Sequence, residues 1–375
     1  MLINLSIELT DLCNARCNYC VIGIENGRPP HHNQRMGFIE VEDFRRVFDG
    51  LHGFLRDPVC MPVESIDLCV RLCGIGEPTL HPRFVELFHI ALQHPDVKQL
   101  TVVSNGSGLP PDRTRALAEL LPQHPDVLVD FLLGLDAADP AVQYRVKRIA
   151  NVSKIAADLD AFLELKIRAA LPNLKFIFQI IVTDENRDHV KPFCEFWESR
   201  LRAKSLRYAL TADWGYLDRM HQFDAFIWVK RRDADGPDQP HFDELHRSAL
   251  RDAGLEPQYR IQGLPNGIVE ARADARYQQV CGLFWYGINI NAGGEVSPCC
   301  IDDQFQLNIG NIKQASLQDM YRGETMQRYR EAHLTRDFRT MPLCAGCQSI
   351  HKYKPVAKEA IQKYQDALAS CSAPS

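Results

Sequence analysis

The feature that most restricts the fold is an alternation. Strand-like runs at 2–9, 66–72, 100–103, 127–135, 175–182 and 206–210 are separated by segments at 41–55, 83–93, 113–121, 155–165 and 189–201 whose apolar residues recur at helical spacing. Strands joined by helical crossovers lie parallel, so six of them specify an α/β fold built on a parallel sheet. Curled on itself, that sheet is a partial (β/α)6 barrel, and chemistry in such barrels gathers at the C-terminal ends of the strands.

The first of those ends carries the sequence ELTDLCNARCNYCVIG, which puts Cys13, Cys17 and Cys20 in one loop. The chain has 375 residues, 45% hydrophobic and 24% charged, enough for one large domain and a smaller one. A net charge of -5 provides no basic field for nucleic acid, and neither a membrane-spanning apolar run nor a basic-then-apolar leader is present. The expectation is a cytoplasmic protein with neither nucleic acid nor a membrane as partner. Thirteen cysteines would suit disulfides in a small secreted domain, but in a chain this long they cluster, and clustered cysteines hold metal. Cys60, Cys69, Cys73, Cys194 and Cys371 stand apart and read as small buried hydrophobes.

Thiolates are soft ligands for iron–sulfur clusters or zinc, and a closed structural site takes four. Three in the front loop leave a position open, so in a four-iron cubane the fourth iron is free to bind a small molecule. The alternative is a zinc site completed by His31 or His32. Near the other end, Cys281, Cys299, Cys344 and Cys347 supply four thiolates, enough to close a second cluster or a zinc knuckle, with Cys300 competing with Cys299.

The C-x3-C-x2-C loop with Tyr19 before its last cysteine resembles that of the radical S-adenosylmethionine (SAM) enzymes. CGIGEP after the second strand is similar to the family's glycine–glutamate motif. The resemblance implies that Gly74, Gly76 and Pro78 shape a backbone that approaches SAM closely and that Glu77 holds its amino group. SNG, with Ser104 and Asn105, follows the third strand, GLDA, with Asp136, the fourth, and VTDEN the fifth, where the family has similar turns. QYR resembles a helix-borne arginine pairing with the SAM carboxylate, which makes Arg145 that residue. One motif per strand end, in order, is what a zinc site does not predict.

The rear cysteines and the hairpin-like INI-NAGGEVSPC resemble the module called twitch, related to the longer SPASM domain, and its Gly-x4-Cys spacing from Gly294 points to Cys299 as the ligand. The domains are then a barrel over 1–213, a connector or substrate cap over 214–280 (with His221, Phe226, Trp228, Arg231 and Arg232), the iron–sulfur module over 281–354, and a C-terminal helix and tail over 355–375.

The resemblance implies two 4Fe–4S clusters, SAM, and a flavodoxin- or ferredoxin-like electron donor. It implies a 5′-deoxyadenosyl radical that takes hydrogen from a small polar substrate, as in members resembling 2-deoxy-scyllo-inosamine dehydrogenase and other aminoglycoside-modifying enzymes. Net two-electron oxidation assisted by the second cluster is the expected outcome. Alternatives are epimerisation, with Cys73 or Cys300 as hydrogen donor, modification of a ribosomal peptide, and a non-catalytic iron–sulfur or zinc protein. A first strand beginning at position 2 leaves no room for a peptide-recognition domain and favours the small substrate. Alternation on the second strand puts Asp67, Cys69, Arg71 and Cys73 on one face, and Gln179 on the fifth is a further lumen candidate.

Overall fold

The computed structural model describes residues 2–20, 37–63, 66–212, 220–232, 238–255, 280–347 and 356–372. Among these, ten strands form one sheet: β1 (Leu2–Ile7), β2 (Asp67–Leu72), β3 (Val97–Ser104), β4 (Leu128–Gly134), β5 (Leu174–Val182), β6 (Tyr208–Thr211), β7 (Ala225–Arg231), β8 (Gly287–Ile290), β9 (Glu295–Ser297) and β10 (Gly310–Asn311). Their order is β10-β9-β8-β1-β2-β3-β4-β5-β7-β6. All neighbours from β8 to β6 are parallel, and only β9 and β10 run against their neighbours.

The crossovers are α1 (Val41–Phe48), α2 (Leu51–Arg56), α3 (Phe84–Gln93), α4 (Pro111–Leu120), α5 (Pro140–Lys147), α6 (Val152–Arg168) and α7 (Val190–Ala203), followed by α8 (Gln239–Asp252). The helix expected over 41–55 is two helices, because Gly50 takes a left-handed φ of 74° between them. One set of alternate strand residues (Leu5, Val70, Leu100, Phe131, Phe176, Ile227) packs under Phe44, Phe88, Phe162 and Trp197 of the helices as the main core. The other set lines the lumen: Leu132, Ile177, Phe226 and Trp228, joined by Met220 from the turn before β7, form a separate apolar cluster, while Thr101, Asp130 and Gln179 are buried polar residues of the same inner face.

One expectation is corrected by this topology. The segment 214–280 is not simply a connector or cap: it contributes β7, which inserts between β5 and β6 and is parallel to both, and α8, whose His246 ring lies 3.0 Å from the Val229 carbonyl. Residues Ala225 to Val229 are buried on both faces, so the run carries no alternation to mark it as a strand. Phe226 and Trp228 belong to the lumen wall, Arg231 bonds Asp243 at 2.8 Å, and His221 is exposed.

The rear module, expected as a distinct unit, adds its strands to the edge of the barrel sheet. β8 pairs with β1 from Asn4↔Gly287 to Ile7↔Ile290, and the β8–β9 hairpin expected from its glycines is present, with Gly294 at φ 87°. Behind it, the helix Glu324–Thr335 sends Arg330 into the core. Its guanidinium donates to the carbonyls of Val59, Cys60 and Phe284 at 2.5, 2.9 and 2.9 Å, pinning the module to the barrel.

Candidate active site

The motif loops at the strand ends are tied to one another. Glu77 Oε1 accepts from Thr79 N at 3.1 Å and Ser104 Oγ at 2.7 Å, and Oε2 accepts from Asn105 N at 2.7 Å. Asn105 Nδ2 donates to Asn14 Oδ1 at 2.8 Å, and Asn14 Nδ2 to Ser107 Oγ at 2.8 Å, so the chain of bonds reaches the cysteine loop. Glu77, 2% exposed, thereby spends its carboxylate on the turns around it.

The glycines serve close approach, but within the chain. A Cβ on Gly76 would lie 1.9 Å from the Thr10 carbonyl oxygen, and one on Gly74 would lie 2.3 Å from Glu8 Oε2, because the exit of β1 crosses directly over this turn. Glu8, which pattern reading passed over, accepts from Ile75 N at 2.8 Å and Ala292 N at 3.3 Å, joining the glycine turn to the rear hairpin. Pro78 is buried and opens the short helical turn that Glu77 caps.

The cysteine loop leans on α5. Arg16 N donates to Lys147 O at 2.8 Å and Asn18 N to Val146 O at 3.0 Å, while the Tyr19 ring packs on Ala137, Val142 and Val146. Asp136, fully buried with φ 60°, accepts from Ile181 N at 2.7 Å through Oδ1 and from the Tyr19 hydroxyl through Oδ2. Arg145 is exposed. The inward cation of the helix is Lys147, whose Nζ lies 3.0 Å from Asp136 Oδ2, 3.0 Å from Tyr19 Oη and 3.7 Å from Cys17 Sγ. Burial alone would pull its pKa down, but Asp136, Tyr19 and Cys17 hold it well above the usual lysine range. Helical period alone does not single it out. Val142 and Val146 are the apolar pair of α5, with Gln143 and Lys147 flanking them on one side and Arg145 on the other.

Cys17 is buried and Cys13 and Cys20 half-buried. Burial pushes the Cys13 thiol up to about 11, and the charges of Glu77, Cys17 and Cys20 add to the rise. In the rear module, burial raises Cys281 and Cys344 to about 12 and Cys299 well above its usual value. Cys281 senses the charge of Cys347, Cys299 that of Cys281 and Cys344, so these thiols converge. Cys299 is buried where Cys300 is exposed. Among the described residues no three donors close on a single ion. Buried thiols that resist ionisation unaided fit iron–sulfur clusters, whose irons supply the missing positive charge.

The two thiol sets lie at opposite ends of adjacent parallel strands: the front loop follows the C-terminal end of β1, and Cys281 precedes the N-terminal end of β8. Between them, the row Ser6–Arg71–Thr101–Asp130–Lys175 runs in register across five strands on the inner face. Asp130 Oδ1 accepts from Gln99 Nε2 at 2.7 Å and Thr101 Oγ1 at 2.9 Å, and burial raises its pKa from 3.8 to about 6 against the pull of Gln99 and Arg71. Cys73 is half-buried at the end of β2, while Cys60, Cys69 and Cys194 are packed thiols as expected. His31 and His32 lie outside the described residues, as does the Cys371 side chain. Among the described residues no helix is long and apolar enough to cross a membrane.

The Radical SAM superfamily profile matches residues 7–196, and SPASM, an iron–sulfur cluster-binding domain, matches 281–348. Among curated proteins, the GTP 3′,8-cyclase of Synechococcus elongatus is 31% identical over 196 residues, covering 52% of this chain and 51% of that one. The chain thus spans about half the length of this relative. Of solved structures, anSMEcpe with bound AdoMet and the Kp18Cys peptide aligns over 98% of this chain and 96% of its own, with 13% identity and a TM-score of 0.53, a likeness of fold. BtrN in complex with AdoMet and 2-DOIA aligns over 93% of each chain at 12% identity and a TM-score of 0.47. With half its length matched by one family, the chain belongs to the radical SAM superfamily, an enzyme whose cofactors are SAM and two 4Fe–4S clusters and which carries a SPASM domain.

Proposed function

We propose that this enzyme abstracts hydrogen from a small polar substrate, carbohydrate, aminocyclitol or nucleoside-like, held in the barrel lumen, and that the outcome is a net two-electron oxidation assisted by the second cluster. The observation that carries this reading is the composition of the barrel's inner wall. It is apolar at Leu132, Ile177, Phe226 and Trp228, and polar at Arg71, Gln99, Thr101, Asp130 and Gln179. Such a wall suits a compact ligand with several hydroxyl or amino groups, each needing a partner once water is excluded.

In this reading Cys13, Cys17 and Cys20 hold the front cluster and Cys281, Cys299, Cys344 and Cys347 the rear one. When bound, the front cluster and SAM supply a 5′-deoxyadenosyl radical that removes one hydrogen atom from a carbon. The protein's own part is to position and to exclude. Glu77, Ser104, Asn105 and Asn14 hold the motif loops as one cradle for SAM, with Gly74, Gly76 and Pro78 forming its floor and Tyr19 and Asp136 its wall. Arg145, exposed on α5, remains the candidate partner of the SAM carboxylate. A flavodoxin- or ferredoxin-like protein delivers the electron.

The relative's name favours a second substrate, a purine nucleotide, because the matched region covers much of the barrel. The test is anaerobic incubation of the reconstituted, reduced enzyme with SAM and aminocyclitols, amino sugars or GTP, with 5′-deoxyadenosine and product mass as readouts. A product lighter by two hydrogens, formed one for one with 5′-deoxyadenosine, supports oxidation. An isomeric product carrying solvent deuterium would replace it with epimerisation and a thiol donor, Cys73 or Cys300, and a cyclised nucleotide would favour the second substrate.

A further inference from the structure

The cysteine loop and the end of α5 are bound by main-chain hydrogen bonds, and one side chain crosses that junction. Lys147 has three N–H donors and three close partners: Tyr19 Oη and Asp136 Oδ2, each at 3.0 Å, and Cys17 Sγ at 3.7 Å. Its side chain is 6% exposed and Asp136 is fully buried. The carboxylate cannot turn aside, since Ile181 N holds Oδ1 at 2.7 Å and the residue's left-handed backbone fixes its direction. The Tyr19 ring is clamped in turn by Ala137, Val142 and Val146. A buried ion pair is a poor device for stability, because its desolvation offsets most of the attraction and an apolar pair would pack as well. This one has its free direction aimed at a sulfur.

We propose that Lys147 is a positioning residue for the front cluster: aimed by Tyr19 and Asp136, its ammonium donates a charge-assisted hydrogen bond to the Cys17 sulfur and so raises the cluster's reduction potential. This rests on Cys17 being a cluster ligand, as in the function proposed above. Reduction adds negative charge that spreads onto the ligand sulfurs, and a cation or N–H donor at such a sulfur stabilises the reduced form more than the oxidised one. A lysine held by two fixed oxygens does this without moving when the electron arrives.

The experiment is a redox titration of anaerobically reconstituted enzyme without SAM, followed by electron paramagnetic resonance. The signal that changes when SAM is then added marks the front cluster. Lys147→Met should lower the reduced-to-oxidised ratio at a fixed potential about tenfold, equivalent to about 59 mV for one electron. Iron content should stay at the wild-type level, and Lys147→Arg should recover most of the shift. Tyr19→Phe, which removes one aiming contact while keeping the ring, should shift the ratio in the same direction by a smaller factor. This variant carries the test if Lys147→Met does not assemble. A ratio within twofold of wild type in Lys147→Met, or in Tyr19→Phe where that variant carries the test, overturns the proposal. So does a Lys147→Met variant that loses affinity for SAM at an unchanged potential, which would make the lysine a ligand of SAM. Full iron retention after changing Cys13, Cys17 and Cys20 together to alanine would instead remove the cluster assignment on which the proposal stands.

Discussion

Replacing Asp130 with asparagine tests whether the lumen holds a desolvated charge. The carboxylate is 2% exposed on the inner wall, and burial raises its pKa from 3.8 to about 6 despite the donors Gln99 and Thr101 and the nearby charge of Arg71. The folded state therefore binds this proton more tightly than the unfolded chain. The group's contribution to stability is greatest below pH 3.8, falls as pH rises towards 6 and is constant above that. A rise of roughly two pKa units corresponds to about 3 kcal/mol in total. About 1.4 kcal/mol of this develops between roughly pH 5 and 7.5. Asparagine keeps a carbonyl for both donors and removes the charge, while its new amide adds an offset that does not depend on pH. The stability of Asp130→Asn relative to wild type should therefore grow by about 1.4 kcal/mol across that interval. Urea midpoints of the anaerobic holoenzyme at several pH values measure it. A difference that stays flat or shrinks as pH rises would refute the reasoning.

Three further outcomes follow from other parts of the molecule. Reconstituted enzyme should contain about eight irons per chain, and alanine at Cys13, Cys17 and Cys20 together should leave about half of them and abolish 5′-deoxyadenosine formation, as colorimetric iron assay and chromatography would record. Gly76→Ala would drive a methyl into the Thr10 carbonyl oxygen, 1.9 Å away, so the front loops must part; front-cluster iron should be lost while the rear cluster persists. Arg330→Met leaves the carbonyls of Val59, Cys60 and Phe284 without their buried donor, and should cost about 3 kcal/mol or more by denaturant titration.

Much of the barrel was legible because its crossover helices are amphipathic and its strands are short runs bounded by turns. The six strands read from the sequence coincide with β1 to β6 to within a few residues. β7 was not legible for a physical reason: Ala225 to Val229 face packing on both sides, so no polar residue marks an outer surface. The cysteine loop could be read from spacing, since ligand chemistry fixes residue type and order. Arg145 could not be judged that way, because a tripeptide match carries no helical phase, and one residue of rotation separates the solvent from the buried face. Glu8 and Lys147 have ordinary surroundings in sequence and acquire their partners only when β1, α5 and the hairpin are brought together.

The pairing of β8 beside β1 has a consequence for how the chain is made. Asn4 emerges from the ribosome long before Gly287, its neighbour on one side, and Glu8 waits for Ala292, 284 positions later. Until then β1 presents an open parallel edge next to the cysteine loop, the kind of edge that invites pairing with another chain. Closure of such a distant contact is entropically slow. The cell therefore has an interval, for each copy synthesised, in which the cysteine loop is attached to a strand with an unpaired edge, and in which iron delivered early would meet a half-built sheet.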